Sequence, residues 1–378
     1  MSLYLQSLHK HRYPLTFSEL KKMGSYKPYI AMVSVQCVYA GMALFSKAAI
    51  AKGMNPFIFV VYRQALAFLV LAPFAFFLER KGSATLTYGL LFKIFLIAFS
   101  GLTLSLNLYC VAINYTSATF AAATTNTIPA ITFIMAVVLR MEGISVGKWH
   151  GWAKVVGSVM GVSGALVYAF VKGPPVNLIN WSSPGPARQS PPSGSGSIGD
   201  PSSSGEWIKG SLIMFSANAL WSLWLILQRP IIKQYPAKLR LTTLQCFFSC
   251  IQSAFWAIAK ERDPVAWKLG WDMQLLSVVY CGVIVTAISY WLQVWAIEKK
   301  GPVFTAMFTP VALIIAAFFS AFLWKETLFR GSLVGAMLMV GGLYFVLWGK
   351  IKEDGNKEVK DNRRPEIKEE VTSDCIPV

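Results

Sequence analysis

Residues 114–143 read NYTSATFAAATTNTIPAITFIMAVVLRMEG, and residues 298–326 read EKKGPVFTAMFTPVALIIAAFFSAFLWKE. Both begin in a short polar stretch, enter a small and apolar run broken by threonine and proline, and close at a glutamate, Glu142 or Glu326. A shift of 184 pairs Phe120, Ala122, Thr125, Ile131, Leu139 and Glu142 with Phe304, Ala306, Thr309, Ile315, Leu323 and Glu326. The same shift carries upstream, pairing Ser105, Leu108, Ala112 and Ile113 with Ser289, Leu292, Ala296 and Ile297. Nearer the start, a shift of 182 sets Gln36, Tyr39 and Lys47 against Asn218, Trp221 and Arg229. The chain therefore repeats itself once.

Working outward from these runs, ten stretches have the length and apolarity of a membrane-spanning helix. They are 29–48, 57–78, 91–112, 117–139, 151–171, 208–227, 243–259, 273–294, 303–323 and 332–349, the seventh being the shortest. Composition agrees. Apolar residues make up 55% of the 378 and charged residues only 14%, with mean hydropathy +0.50. A water-facing surface needs about a quarter of its residues charged, so lipid must be the solvent for most of the chain. The expected fold class is all-α integral membrane, with ten transmembrane helices.

The formal charge of +17 does not point to nucleic acid. The cations sit in short loops between apolar runs, where they set topology. Arg229, Lys233, Lys238 and Arg240 occupy one loop with no acidic residue. Lys10, Arg12, Lys21, Lys22 and Lys27 precede the first helix. The bias predicts both termini in the cytoplasm, and an even number of spans requires them to share a face. No secretory signal peptide is expected, because the first 28 residues lack an apolar core. Residues 172–207, rich in Pro, Gly and Ser, predict a flexible non-cytoplasmic linker. It separates a five-helix unit at 29–171 from another at 208–349. Asn180 opens a glycosylation sequon within it, and residues 350–378 predict a disordered cytoplasmic tail.

Five helices is an odd number, so the second unit enters from the opposite side and the repeat is inverted. Inverted repeats recur in secondary transporters, with the solute site near the bilayer midplane between the halves. No Walker loop, paired histidines, disulfide framework or metal-ligand spacing is present in the sequence. The chain is thus expected to be no enzyme and to need no metal or other cofactor.

Four strings support a family. FVVYRQALAFLVLAPFAFFLERK (59–81), the two runs quoted above and GLYFVLWGK (342–350) resemble the plant UMAMIT transporters, also called nodulin-like or walls-are-thin-related proteins. These form part of the EamA branch of the drug/metabolite transporter superfamily. The resemblance implies a ten-helix transporter exporting amino acids or facilitating their movement, with some members handling auxin-like compounds. The partners it implies are a small-molecule substrate and the lipid bilayer; the oligomeric state is left open. The expected location is the plasma membrane, with the tonoplast as the alternative.

The candidate substrate-binding residues are polar or aromatic positions inside the spans. Arg63 is the intramembrane cation, poised to pair with a substrate carboxylate, or else snorkelling to headgroups. No Asp or Glu lies inside a predicted span, which favours a facilitator over a proton-coupled carrier; Glu142, Glu298 and Glu326 at helix ends are the reserve relays. Thr124, Thr125 and Asn126 sit mid-span before Pro129, which leaves the Thr125 carbonyl without its usual N–H. Thr309 before Pro310 is the repeat counterpart. Such groups either meet substrate or hydrogen-bond between helices. Gln36, Asn107, Asn218, Trp221, Tyr290 and Gln293 complete the set, because so many polar groups cannot all face lipid.

Overall fold

A computed structural model of the chain describes residues 17–79, 86–113, 115–116, 121, 124–141, 149–171, 175–176, 201–270, 272–315 and 328–373. Its helices are α1 (Phe17–Ala51), α2 (Pro56–Leu78), α3 (Tyr88–Ile113), α4 (Ile128–Val138), α5 (Trp149–Phe170), α6 (Pro201–Gln234), α7 (Lys238–Lys260), α8 (Met273–Lys300), α9 (Pro302–Ile315) and α10 (Arg330–Ser373). Among the described residues six helices are each long and apolar enough to cross a membrane: α2, α3, Ile208–Gln234 of α6, α7, α8 and Leu333–Glu353 of α10. The helices α4 and α9 are shorter apolar segments. Two short strands, β1 (Pro175–Val176) and β2 (Leu328–Phe329), pair antiparallel and join the linker to the approach to α10. The chain is an all-α membrane protein.

The pairing of helices repeats when the halves are exchanged. The contact of α3 with α6 is matched by α8 with α1, and that of α2 with α8 by α7 with α3. The pairs α2–α7, α4–α9 and α5–α10 map onto themselves. These pairings are what a twofold relation between inverted halves requires. Local geometry agrees to the residue. The 23-residue helices α2 and α7 have bounds offset by 182 at both ends. Each half's third helix widens into a π segment, Ala98–Leu104 in α3 and Tyr280–Ile288 in α8, ending 184 apart. A tightened i→i−3 bond joins Thr127 N to Thr124 O just before α4 and Val311 N to Phe308 O in α9, again 184 apart.

The π segments let helices approach. A Cβ on Gly101 would lie 2.3 Å from the Trp224 Cβ on α6, and one on Gly282 would lie 2.9 Å from the Leu66 Cβ and 3.1 Å from the Arg63 carbonyl on α2. Only glycine fits at either place. At the far flank, a Cβ on Gly157 of α5 would lie 2.6 Å from the Gly342 carbonyl of α10. Helices that close are held by backbone packing of small residues.

Several boundaries differ from the sequence reading. The seventh helix starts at Lys238 rather than 243, because Glu79 of the other half accepts hydrogen bonds from its first-turn amides. The last helix continues through the segment read as a disordered tail, to Ser373. Lysine and glutamate are good helix formers, and Glu353 on that extension pairs with Lys154 of α5. The sixth helix starts at Pro201, inside the linker. Residues Asn180, Glu142 and Glu326 lie outside the described residues.

Candidate functional site

Arg63 is the eighth residue of α2, about 10 Å along the helix from Pro56. It is only 6% exposed, so it does not snorkel to water. Gly282 lets α8 lie against its backbone, which brings the two helices into register. The guanidinium Nη2 donates to the Tyr290 hydroxyl on α8 at 3.0 Å, and Nη1 reaches the Met42 sulfur on α1 at 3.7 Å. Its Nε is buried with no hydrogen-bond partner. Among the described residues no acidic side chain forms an ion pair with it. A buried cation without an anion is costly, so this arrangement suits an anionic group brought by a solute.

Aromatic rings wall one side of that cation. Trp221 and Trp224 of α6 stack with centroids 5.1 Å apart, and Tyr290 lies 5.7 Å from the first and 5.5 Å from the second. Trp224 is held from behind: its Nε1 donates to Gln245 Oε1 of α7 at 3.2 Å, and Gln245 Nε2 donates to Gln228 Oε1 at 3.2 Å. One turn beyond Tyr290, Gln293 Nε2 donates to the Tyr39 hydroxyl of α1. Gln36 is buried on α1, one turn before Tyr39. The structure thus gathers Arg63, Tyr290, Trp221 and Gln293 about one point between α1, α2, α6 and α8.

The helix α4 region forms an adjoining wall. Ile128 and Ala306 belong to the same buried cluster as Trp224 and Tyr290. Asn126 is buried in the turn that breaks this segment. It lines a narrow crevice of about 10 Å³, room for one water, with Pro129, Ser158 and Pro310. The threonine hydroxyls turn to their own backbone: Thr124 and Thr125 donate to Ala121 O, and Thr309 donates to Ala306 O. With their protons so engaged, these hydroxyl oxygens keep only acceptor capacity. Pro129 has no N–H to return to the Thr125 carbonyl, so that side also offers acceptors.

Of the remaining predicted residues, Asn107 sits apart. Asn107 donates to Thr103 O at 2.8 Å and approaches Ser253 Oγ at 3.4 Å, which places it in the α3–α7 seam. Asn218 is buried on α6, and its carbonyl accepts the Ser222 hydroxyl, which also reaches Ile128 O. Sequence reasoning missed Tyr39, Met42 and Trp224 as part of this region. The signal was available: extending the shift of 182 by one helix sets Arg63 against Gln245 and Met42 against Trp224. Both pairs touch, Arg63 with Met42 and Gln245 with Trp224.

The model of the EamA-like transporter family matches residues 26–166 and 208–348, one copy on each half. The WAT1-related protein At1g43650 of Arabidopsis thaliana is 55% identical over 351 residues, spanning 92% of this chain and 99% of its own. The WAT1-related protein At5g64700 of the same plant is 47% identical, over 88% of this chain and 93% of its own. One solved crystal structure shares the fold at TM-score 0.62 and 15% identity, covering 86% of this chain and 98% of its own.

Proposed function

Because the chain belongs to the EamA-like transporter family, as a WAT1-related multi-pass membrane transporter, we propose that it moves amino acids or related small organic acids by alternating access. It acts as a bidirectional facilitator. The carrying observation is Arg63, buried inside an apolar helix with a bare Nε and, among the described residues, no carboxylate paired with it. A solute carboxylate supplies the missing anion, and the planar guanidinium receives it through paired N–H donors. Trp221 and Trp224 cover the solute's apolar body. An ammonium group turns to the α4 side, where hydroxyl and carbonyl oxygens are acceptors.

A second reading has its own support. The stacked pair Trp221–Trp224 with Tyr290 beside it also suits a flat aryl carboxylate of the indole or auxin type, which carries no ammonium. Counterflow of labelled glutamine into proteoliposomes holding the purified chain decides between them, with unlabelled indole-3-acetate as competitor. Glutamine counterflow that survives competition supports the amino-acid reading. Counterflow of indole-3-acetate alone transfers the site to the aryl class, and movement of neither removes both. Both termini face the cytoplasm on this reading, in the plasma membrane.

A further inference from the structure

The pair α2–α7 is clasped at both ends by twofold-related glutamates. Glu79 is the residue that ends α2, and Glu261 the one that ends α7; the two are 182 apart, the same offset as the helices themselves. The helices run antiparallel, so each glutamate lies beside the first turn of the other helix. On the face that carries the termini, Glu79 accepts the Leu239 amide at 3.0 Å and the Arg240 amide at 2.9 Å. On the opposite face, Glu261 accepts from the Asn55 side-chain amide at 2.9 Å, and Asn55 Oδ1 accepts the Phe57 amide at 2.9 Å.

These are one device in two forms. Leu239 and Phe57 are equivalent residues, each the second residue of its helix. In α7 the N-cap is Ala237, which has no side chain to cap with, and the carboxylate of the other half bonds the amide directly. In α2 the equivalent N-cap is Asn55, and its amide relays the same connection. Orphan N–H groups at a helix start need acceptors, and the helix dipole favours a carboxylate there. Neighbouring bonds add to each clasp: Arg240 Nε reaches Ala75 O at 3.4 Å, and the Tyr62 hydroxyl donates to Trp267 O at 2.5 Å. Both clasps are closed in the same structure.

A carrier that opens alternately must part its halves at one face at a time. A seam held at both faces at once is not where they part. We infer that Glu79 and Glu261 are positioning residues that keep the α2–α7 seam closed throughout the cycle, making it a fixed flank. The helices that complete the site around Arg63 of α2, namely α1, α4, α6, α8 and α9, move against it. The inference goes beyond the solute assignment and does not depend on it.

Paired cysteines test it in the full chain: Asn55→Cys with Glu261→Cys at one face, and Glu79→Cys with Leu239→Cys at the other. Each pair is closed with a short bis-maleimide in proteoliposomes, with the wild-type chain given the same reagent as control. Cross-linking of either pair, and of both together, leaves glutamine counterflow at half or more of its uncross-linked value. Counterflow that falls below a tenth on closing either pair overturns the inference, as does failure of the pairs to cross-link. Hydrogen exchange gives a readout independent of any solute, so a failed glutamine assignment is told apart from a failed seam. The Leu239 and Arg240 amides exchange about tenfold faster in Glu79→Gln than in wild type. Equal exchange in the two proteins overturns the positioning role.

Discussion

Arg63→Gln separates a solute-binding arginine from a structural one. The guanidinium makes one hydrogen bond, to Tyr290 at 3.0 Å, and one long contact to Met42, and it has no acidic partner among the described residues. Glutamine already occupies the equivalent position in the other half, where Gln245 meets Trp224 as Arg63 meets Met42. The substitution therefore fits. A hydrogen bond to a charged group contributes about 1.5–3 kcal/mol. Losing one to the solute carboxylate raises the half-saturation constant roughly 10- to 150-fold. Stability moves the other way: removing a buried, unpaired cation stabilises the empty protein by about 1 kcal/mol or more. Counterflow over a range of solute concentrations gives the first quantity, and thermal unfolding of the purified, solute-free protein gives the second. A half-saturation constant within about twofold of wild type, alongside a lower unfolding midpoint, would show that Arg63 holds the helices and not the solute.

Asn126→Ala cuts flux at normal expression, because it removes the amide from the α4 turn; wild-type flux in that variant would remove this region from the site. Flux continues when the pH gradient is collapsed, since no Asp or Glu lies inside a span predicted from the sequence; abolition by a protonophore in clean vesicles would refute this. Gly342→Ala places a Cβ 2.6 Å from Gly157 O and 2.7 Å from Gly161 N, so it destabilises by about 1–3 kcal/mol, read as a lower thermal midpoint. Lys154→Ala removes the ion pair with the largely buried Glu353 carboxylate and lowers the thermal midpoint, whereas Lys154→Met with Glu353→Met restores most of the loss; equal losses in the two variants would show that the pair is not coupled.

The sequence carried the architecture because hydropathy and the repeat are local or self-referential signals. Ten apolar runs and the shifts of 182 and 184 need no knowledge of tertiary contacts. What escaped depended on partners far along the chain. The start of α7 is fixed by Glu79, some 160 residues earlier, and the continuation of α10 is tied to Lys154. The π segments escaped for another reason: 3.6-residue periodicity has no term for an inserted residue, and only the approach of Trp224 and Leu66 to Gly101 and Gly282 explains them. At the site, Arg63, Tyr290, Trp221 and Gln293 were legible as polar or aromatic residues in apolar spans. Asn107 carried the same signal but faces the α3–α7 seam, because polarity does not reveal which neighbour a helix face meets.

The two halves differ where the site is and agree where the frame is. Equivalent frame elements keep their chemistry: Glu79 with Glu261, the two π segments, and the tightened turns at α4 and α9. Equivalent positions about Arg63 do not: Arg63 corresponds to Gln245, Met42 to Trp224, Tyr39 to Trp221 and Gln36 to Asn218. Each requirement has a physical origin. Alternating access between inverted repeats exchanges the shapes of the halves, so whatever sets those shapes must exist twice. A solute with a charged end and an apolar body has no twofold axis, so the residues that hold it gain nothing from being doubled. A second arginine at position 245 would add another buried cation with no anion to meet it. On the proposed function, the departure from symmetry at these four pairs suits a carrier of an asymmetric, anionic-ended solute. It also marks Gln245 and Trp224 as the reference positions against which Arg63 and Met42 variants should be read.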